Sequence, residues 1–183
     1  MPDLKLIYYP NEILERECET VTSVTDEIIL FAEEMANLMY KNGGVGLAAN
    51  QVGDNRRLIL VDAMYSHTKK FDLKVLINPE ITNKHGEVTV REGCLSFPGI
   101  TARVTRAKDI AVKALDVEGN IINFDATHIL SVCIQHEIDH LNGITFFEHI
   151  PKLSRRLATD KLNNTKKKIF RAIKRAKKNE QSL

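Results

Sequence analysis

The sequence predicts an α+β fold in which antiparallel β-sheets pack around one central helix, with a further helix near each end of the chain. Three observations lead there. Ile28, Phe31, Ala32, Met35, Leu38 and Met39 recur at helical spacing between about residues 23 and 40. Short β-type runs then follow one another from about residue 58 to 124 without a helix between them, which favours antiparallel pairing. A second helical stretch, from about Ala126 to Leu141, sets Ile129, Val132, Cys133, His136 and His140 along one side.

In chain order, a short helical turn is expected over 11–16, after Pro10. The first helix follows, with Asp26 and Glu27 near its positive end and Gly43 and Gly44 beyond its close. Strands are expected at Leu58–Val61, Leu73–Ile77, Val88–Val90, Asp109–Ala114 and Ile121–Phe124. Asn78-Pro79, Lys84-His85-Gly86 and Glu118-Gly119-Asn120 read as the turns between them, the last as a hairpin. Gly143 ends the central helix. From Pro151, Leu153, Leu157, Leu162, Ile169 and Ile173 recur among basic residues as on an amphipathic helix. The 183 residues suit one domain, a body over 1–150 with a basic helical extension over 151–183.

Composition narrows the function. Hydrophobic residues make up 43% and charged residues 27%, ordinary globular usage that argues against disorder. The acid-rich first twenty residues do not resemble a secretory or transit segment, and no apolar run is long enough to span a membrane. A cytoplasmic protein is expected. Cys18, Cys94 and Cys133 are an odd set, better read as reduced thiols than as disulfides. Residues 1–151 hold 14 Lys and Arg against 22 Asp and Glu, a net −8, whereas 152–183 hold 12 against 2, a net +10. So uneven a division suggests that the tail meets a polyanion.

The chemistry centres on Gln135-His136-Glu137-Ile138-Asp139-His140. On a helix, His136 and His140 lie one turn apart on one face and can hold one ion, while Glu137 addresses a water beside it. A hydrolytic centre of this kind normally has three protein ligands. Glu148 and His149 are poor third candidates, crowded before Pro151. Cys94, in Glu92-Gly93-Cys94-Leu95-Ser96-Phe97-Pro98-Gly99, is the better one, and Cys133, three residues before His136, is its rival. The Gly43–Gly53 stretch lacks the order of a phosphate loop; its small residues suit a backbone that a substrate approaches closely, with Gln51 as an amide donor.

In content, order and spacing, Gly44-Val45-Gly46-Leu47-Ala48-Ala49-Asn50-Gln51, Glu92-Gly93-Cys94-Leu95-Ser96 and Gln135-His136-Glu137-Ile138-Asp139-His140 together resemble the motifs of the peptide deformylases. That resemblance implies a metal-dependent hydrolase removing the N-formyl group from the initiator methionine of nascent polypeptides and releasing formate. It implies one divalent ion, ferrous iron with zinc, nickel or cobalt as alternatives, on Cys94, His136 and His140. Glu137 then matches the acid/base, and Gln51 with the backbone N–H of Leu95 the oxyanion donors. Gly44, Val45 and Gly46 would pair with the peptide, and Val45, Ile129, Val132 and Cys133 would line a methionine pocket. Glu92 and Asp139, tied to Arg106, are expected behind the ligands. Gly43 departs from the family at a position where an acid is common. A nascent-chain substrate also gives the basic tail a polyanion, ribosomal RNA. A general metallopeptidase shares only the His-Glu core, and an RNA-binding module would account for the tail alone.

Overall fold

A computed structural model describes residues 4–64 and 71–162. A 3-10 turn at Glu12–Glu15 starts on Asn11, whose Oδ1 accepts the Ile13 N–H at 3.1 Å. Helix α1 spans Asp26–Lys41 and buries Ile28, Phe31, Ala32, Met35, Ala36 and Met39. Strand β1 (Gly46–Ala48), a 3-10 turn (Ala49–Val52) and strand β2 (Leu58–Val61) follow. Strands β3 (Lys74–Gly93), β4 (Thr101–Leu115) and β5 (Ile121–Thr127) lead directly into helix α2 (His128–Leu141). A 3-10 turn at Phe146–His149 precedes helix α3, described over 152–162.

Among the described residues the strands form one antiparallel sheet, β1-β2-β3-β4-β5, where several sheets were expected. It wraps around α2, which packs against β1, β2, β4 and β5. Strand β2 is buried on both faces, and its period of two divides the core. Ile59 and Val61 point to the cluster holding Cys133, Ile134, Ile138 and Leu141 of α2, whereas Leu58 and Leu60 join the cluster of α1. A third cluster, Phe97, Phe146, Phe147 and Ile150, takes in Ala158 and Leu162 of α3.

The middle strands differ from expectation. The segments read as Leu73–Ile77 and Val88–Val90 are parts of one 20-residue strand, and Lys84-His85-Gly86 continues it rather than turning. Asn78 absorbs the irregularity: it sits at φ 50, and its side chain exchanges hydrogen bonds with the Val21 backbone at 2.9 and 2.8 Å. The ladder then shifts register between Ile77 and Glu80 and again between Ile81 and Asn83, so Pro79 interrupts pairing without reversing the chain. Strand β4 begins at Thr101, eight residues before the expected Asp109, because Arg103, Arg106 and Lys108 hide its alternation. The basic run 166–178 lies outside the described residues.

Candidate metal centre

Three elements converge beneath the sheet. Strand β3 ends at Gly93 and delivers Cys94 on a tight turn, held by Phe97 N–H to Cys94 O at 2.9 Å and Ile100 N–H to Phe97 O at 3.1 Å. Phe97 is fully buried and packs on Phe146 and Phe147, with centroids at 5.1 and 4.5 Å, so the aromatic cluster pins the turn. Helix α2 presents His136 and His140 from successive turns, their rings 5.1 Å apart. The 3-10 turn after β1 contributes Gln51.

The ligand-type atoms of Cys94, His136 and His140 all lie within 4.8 Å of one another. Cys94 Sγ is 3.2 Å from His140 Nε2. Cys133, the rival thiol, is not in this group; it is buried with Ile134 and Ile138, and burial pushes it up to about 12. His149 is not a ligand candidate either. Gln51 is oriented unambiguously, because its Oε1 accepts the Ala48 N–H at 2.8 Å. Its Nε2 therefore faces Cys94 Sγ at 3.3 Å and Ser96 Oγ at 3.1 Å. Leu95 N–H has no hydrogen bond among the described residues. A cavity of 310 Å³ joins these groups, lined among others by Gly44, Val45, Gly46, Gln51, Leu95 and Glu137. Ile129, Val132 and Cys133 are not among its lining residues: Ile129 is exposed, and Val132 and Cys133 are buried.

Glycine at 46 has a specific cause. A Cβ there would stand 2.3 Å from Glu137 Oε1, so the bare backbone is what admits the carboxylate. Glu137 is buried and its Oε2 has no partner among the described residues. Burial, partly opposed by the His136 charge, pushes its carboxyl up to about 7.

Behind His136 lies a buried ion network. His136 Nδ1 is 2.9 Å from Glu92 Oε2, and Arg106 grips Glu92 with Nε at 2.8 Å and Nη2 at 3.0 Å. Arg106 Nη1 also contacts Asp139 Oδ2. Burial opposes ionisation of Glu92, yet the hydrogen bonds from His136 and Arg106 hold its carboxyl down at about 2. Burial likewise opposes a charge on His136, but its contacts with Cys94 and Glu92 raise it well above the ordinary value. Burial, with the neighbouring His136 and Arg106 charges, depresses His140 well below it. A thiol and two imidazoles meet beside carboxylates that favour positive charge, a donor set that fits one divalent cation.

The sequence pointed to Cys94, His136, His140, Glu137, Gln51, Glu92, Arg106 and Asp139, and all of them meet here. It did not point to Ser96, which accepts from Gln51, nor to Asn50, whose Nδ2 donates to the His140 carbonyl. Neither has a periodic signal; only the fold reveals them. Arg106→Leu is expected to lower stability by about 3 to 5 kcal/mol, because it leaves Glu92 and Asp139 without their cation in a buried setting. Urea unfolding of the metal-free protein measures this, and an unchanged midpoint would refute it.

With this geometry in place, relatives identify the family. A family model for polypeptide deformylase matches residues 3–156. The chain is 47% identical over 161 residues to the peptide deformylase of Hydrogenovibrio crunogenus, covering 88% of this chain and 94% of that one. It is 42% identical to that of Thermodesulfovibrio yellowstonii, over 91% of this chain and 100% of the other. The crystal structure of a peptide deformylase from Legionella pneumophila superposes with a TM-score of 0.85 at 38% identity, covering 92% and 98% of the two chains. The thiol and paired histidines thus sit in a chain that belongs to the polypeptide deformylase family and is a hydrolase of that family.

Proposed function

We propose that this deformylase holds one divalent ion, ferrous iron, on Cys94, His136 and His140, and uses Glu137, Gln51 and the Leu95 N–H to hydrolyse the N-formyl group of nascent polypeptides. The observation that carries the reading is the meeting of those three ligand-type side chains within 4.8 Å, beside the buried Glu137 and the oriented Gln51 amide. Cys94 offers Sγ, and His140 offers Nε2. His136 directs Nδ1 at Glu92, which leaves its Nε2 for the ion. When bound, such an ion supplies Lewis acidity, making a water easier to deprotonate and a formyl carbonyl easier to attack.

The rest of the chemistry belongs to the chain. Glu137, which lines the cavity and whose Oε2 has no partner among the described residues, takes a proton from the attacking water and returns it to the departing peptide nitrogen. The C–N bond breaks, and formate and a free amino terminus leave. As charge gathers on the formyl oxygen, Gln51 Nε2 and Leu95 N–H donate to it, each contributing roughly 3 to 4 kcal/mol as in other oxyanion holes. Ala48 fixes which way the Gln51 amide faces, and the Nε2 hydrogen that meets Cys94 Sγ, 3.3 Å from the nitrogen, is the one turned to the formyl oxygen.

Peptide binding follows from the sheet. Among the described residues strand β1 is an edge, paired with β2 alone, so an extended peptide can add along Gly44, Val45 and Gly46 through main-chain hydrogen bonds that ignore sequence. Preference for methionine is then assigned to Val45, Ile129, Val132 and Cys133 with the edge of His136; Val45 packs on the cluster that contains Cys133. The basic tail is assigned to ribosomal RNA, where clustered Lys and Arg neutralise phosphates. Among the described residues no helix is long and apolar enough to cross a membrane, and a cytoplasmic site of action matches a substrate emerging from the ribosome.

Glu137→Ala should retain one equivalent of metal by elemental analysis yet release no formate from formyl-Met-Ala-Ser; undiminished turnover would sink the acid/base role. A formyl-alanine peptide should have a clearly lower kcat/KM than its formyl-methionine counterpart, and equal values would contradict the pocket. Removal of 166–183 should weaken binding to purified ribosomes, more so at low salt, while sparing activity on the short peptide. Unchanged ribosome affinity would exclude the tail from that contact.

A further inference from the structure

The network behind His136 continues past Arg106 to a residue that the proposed chemistry does not use. His149, at the end of the Phe146–His149 turn, places Nε2 2.7 Å from Asp139 Oδ2, the same oxygen that Arg106 Nη1 contacts. His149 Nε2 also lies 3.4 Å from Arg106 Nη1, but the shorter contact is with the carboxylate, an acceptor, so Nε2 is assigned the hydrogen. Side-chain exposure falls inward along this path, from 34% at His149 and 17% at Asp139 to 4% at Arg106 and 5% at Glu92. The outer end opens on a cavity of 680 Å³, lined among others by Arg106, Gln135, Asp139 and His149. Asp139 Oδ2 is thus met from one side by Arg106 and from the cavity side by His149.

His149 is itself held in place. Phe146 and Phe147, in the same turn, pack on Phe97 of the Cys94 turn, and Phe146 stacks on the His136 ring at 6.1 Å. The guanidinium is rigid and planar, gripping Glu92 on one edge and Asp139 on another, and Glu92 Oε2 in turn meets His136 Nδ1, so one planar group links Asp139 to the His136 ring. We propose that His149 is a positioning residue, fixing the tautomer and orientation of His136 through Asp139, Arg106 and Glu92. This rests on the reading of Cys94, His136 and His140 as the ligands of one ion.

The test uses the full chain loaded with Co2+, in three forms: parent, His149→Phe, which keeps a ring but no donor, and His149→Gln, which keeps an N–H donor. His149→Leu is a second donor-free form should His149→Phe fold poorly. The donor-free variant should bind Co2+ roughly three- to tenfold more weakly in competition with a chelator, less than the roughly 10- to 100-fold expected for losing a direct partner of a metal-bound imidazole. Its visible Co2+ spectrum should shift, and kcat should fall with KM unchanged. His149→Gln should restore affinity and spectrum to near those of the parent. Parent-like affinity and spectrum without the donor, or a Gln variant as impaired as the Phe variant, would overturn the proposal. A parent chain that binds no Co2+ would instead overturn the ligand assignment and this proposal with it.

Discussion

Helix α2 buries Gln135, His136, Glu137 and His140 beneath the sheet, and the cost of burying polar groups shapes everything packed against it. Gln135 is satisfied by β4: its Oε1 accepts the Ala107 N–H, and its Nε2 donates to the Ala107 carbonyl and to Ser131. His136 is satisfied by Glu92, which in turn requires Arg106, which reaches Asp139 on the next turn of α2. Each demand calls in another residue, and together they fix the helix against the β3–β4 hairpin. Among the described residues four buried side-chain atoms have no partner, Glu137 Oε2 and His140 Nδ1 at the centre, with Asn50 Oδ1 and Glu34 Oε2. Two of the four fall on residues assigned to the ion and the proton.

The strands supply what the helix cannot. A histidine pair on one helix offers two ligands, and a third must arrive from elsewhere in the chain. The length of β3 does this: after its bulges, the strand carries Glu92 to the back of His136, and the turn that follows Gly93 sets Cys94 beside His140. Strand β1 completes the enclosure. Its glycine at 46 lets Glu137 approach the backbone, and the turn after it aims Gln51. Backbone shape and side-chain chemistry therefore meet in the same few residues, which is why the Gly-rich stretch and the His-Glu motif act together.

Much of this was legible in the sequence, for identifiable reasons. His136 and His140 could be read because four-residue spacing on a helix has one geometric meaning, and α1 because its apolar stripe is strictly periodic. Cys94 was harder, since spacing alone left Cys133 as a rival on the same helix; in the structure Cys94, not Cys133, lies beside the two histidines. The continuity of β3 was hidden by Asn78-Pro79, a dipeptide that usually turns a chain but here makes a bulge secured by Val21, 57 residues away. Ser96, Asn50 and the part played by His149 depend on contacts between distant segments, which leave no local signature.

The central claim is the identity of the ligands, and X-ray absorption at the metal edge of protein purified without air addresses it most directly. The element whose edge is found identifies the ion, and iron is expected. The nearest-neighbour shell should contain one sulfur and two imidazole nitrogens, with the sulfur lost in Cys94→Ser. A shell without sulfur in the parent chain, or one that keeps its sulfur in Cys94→Ser, would contradict the site described.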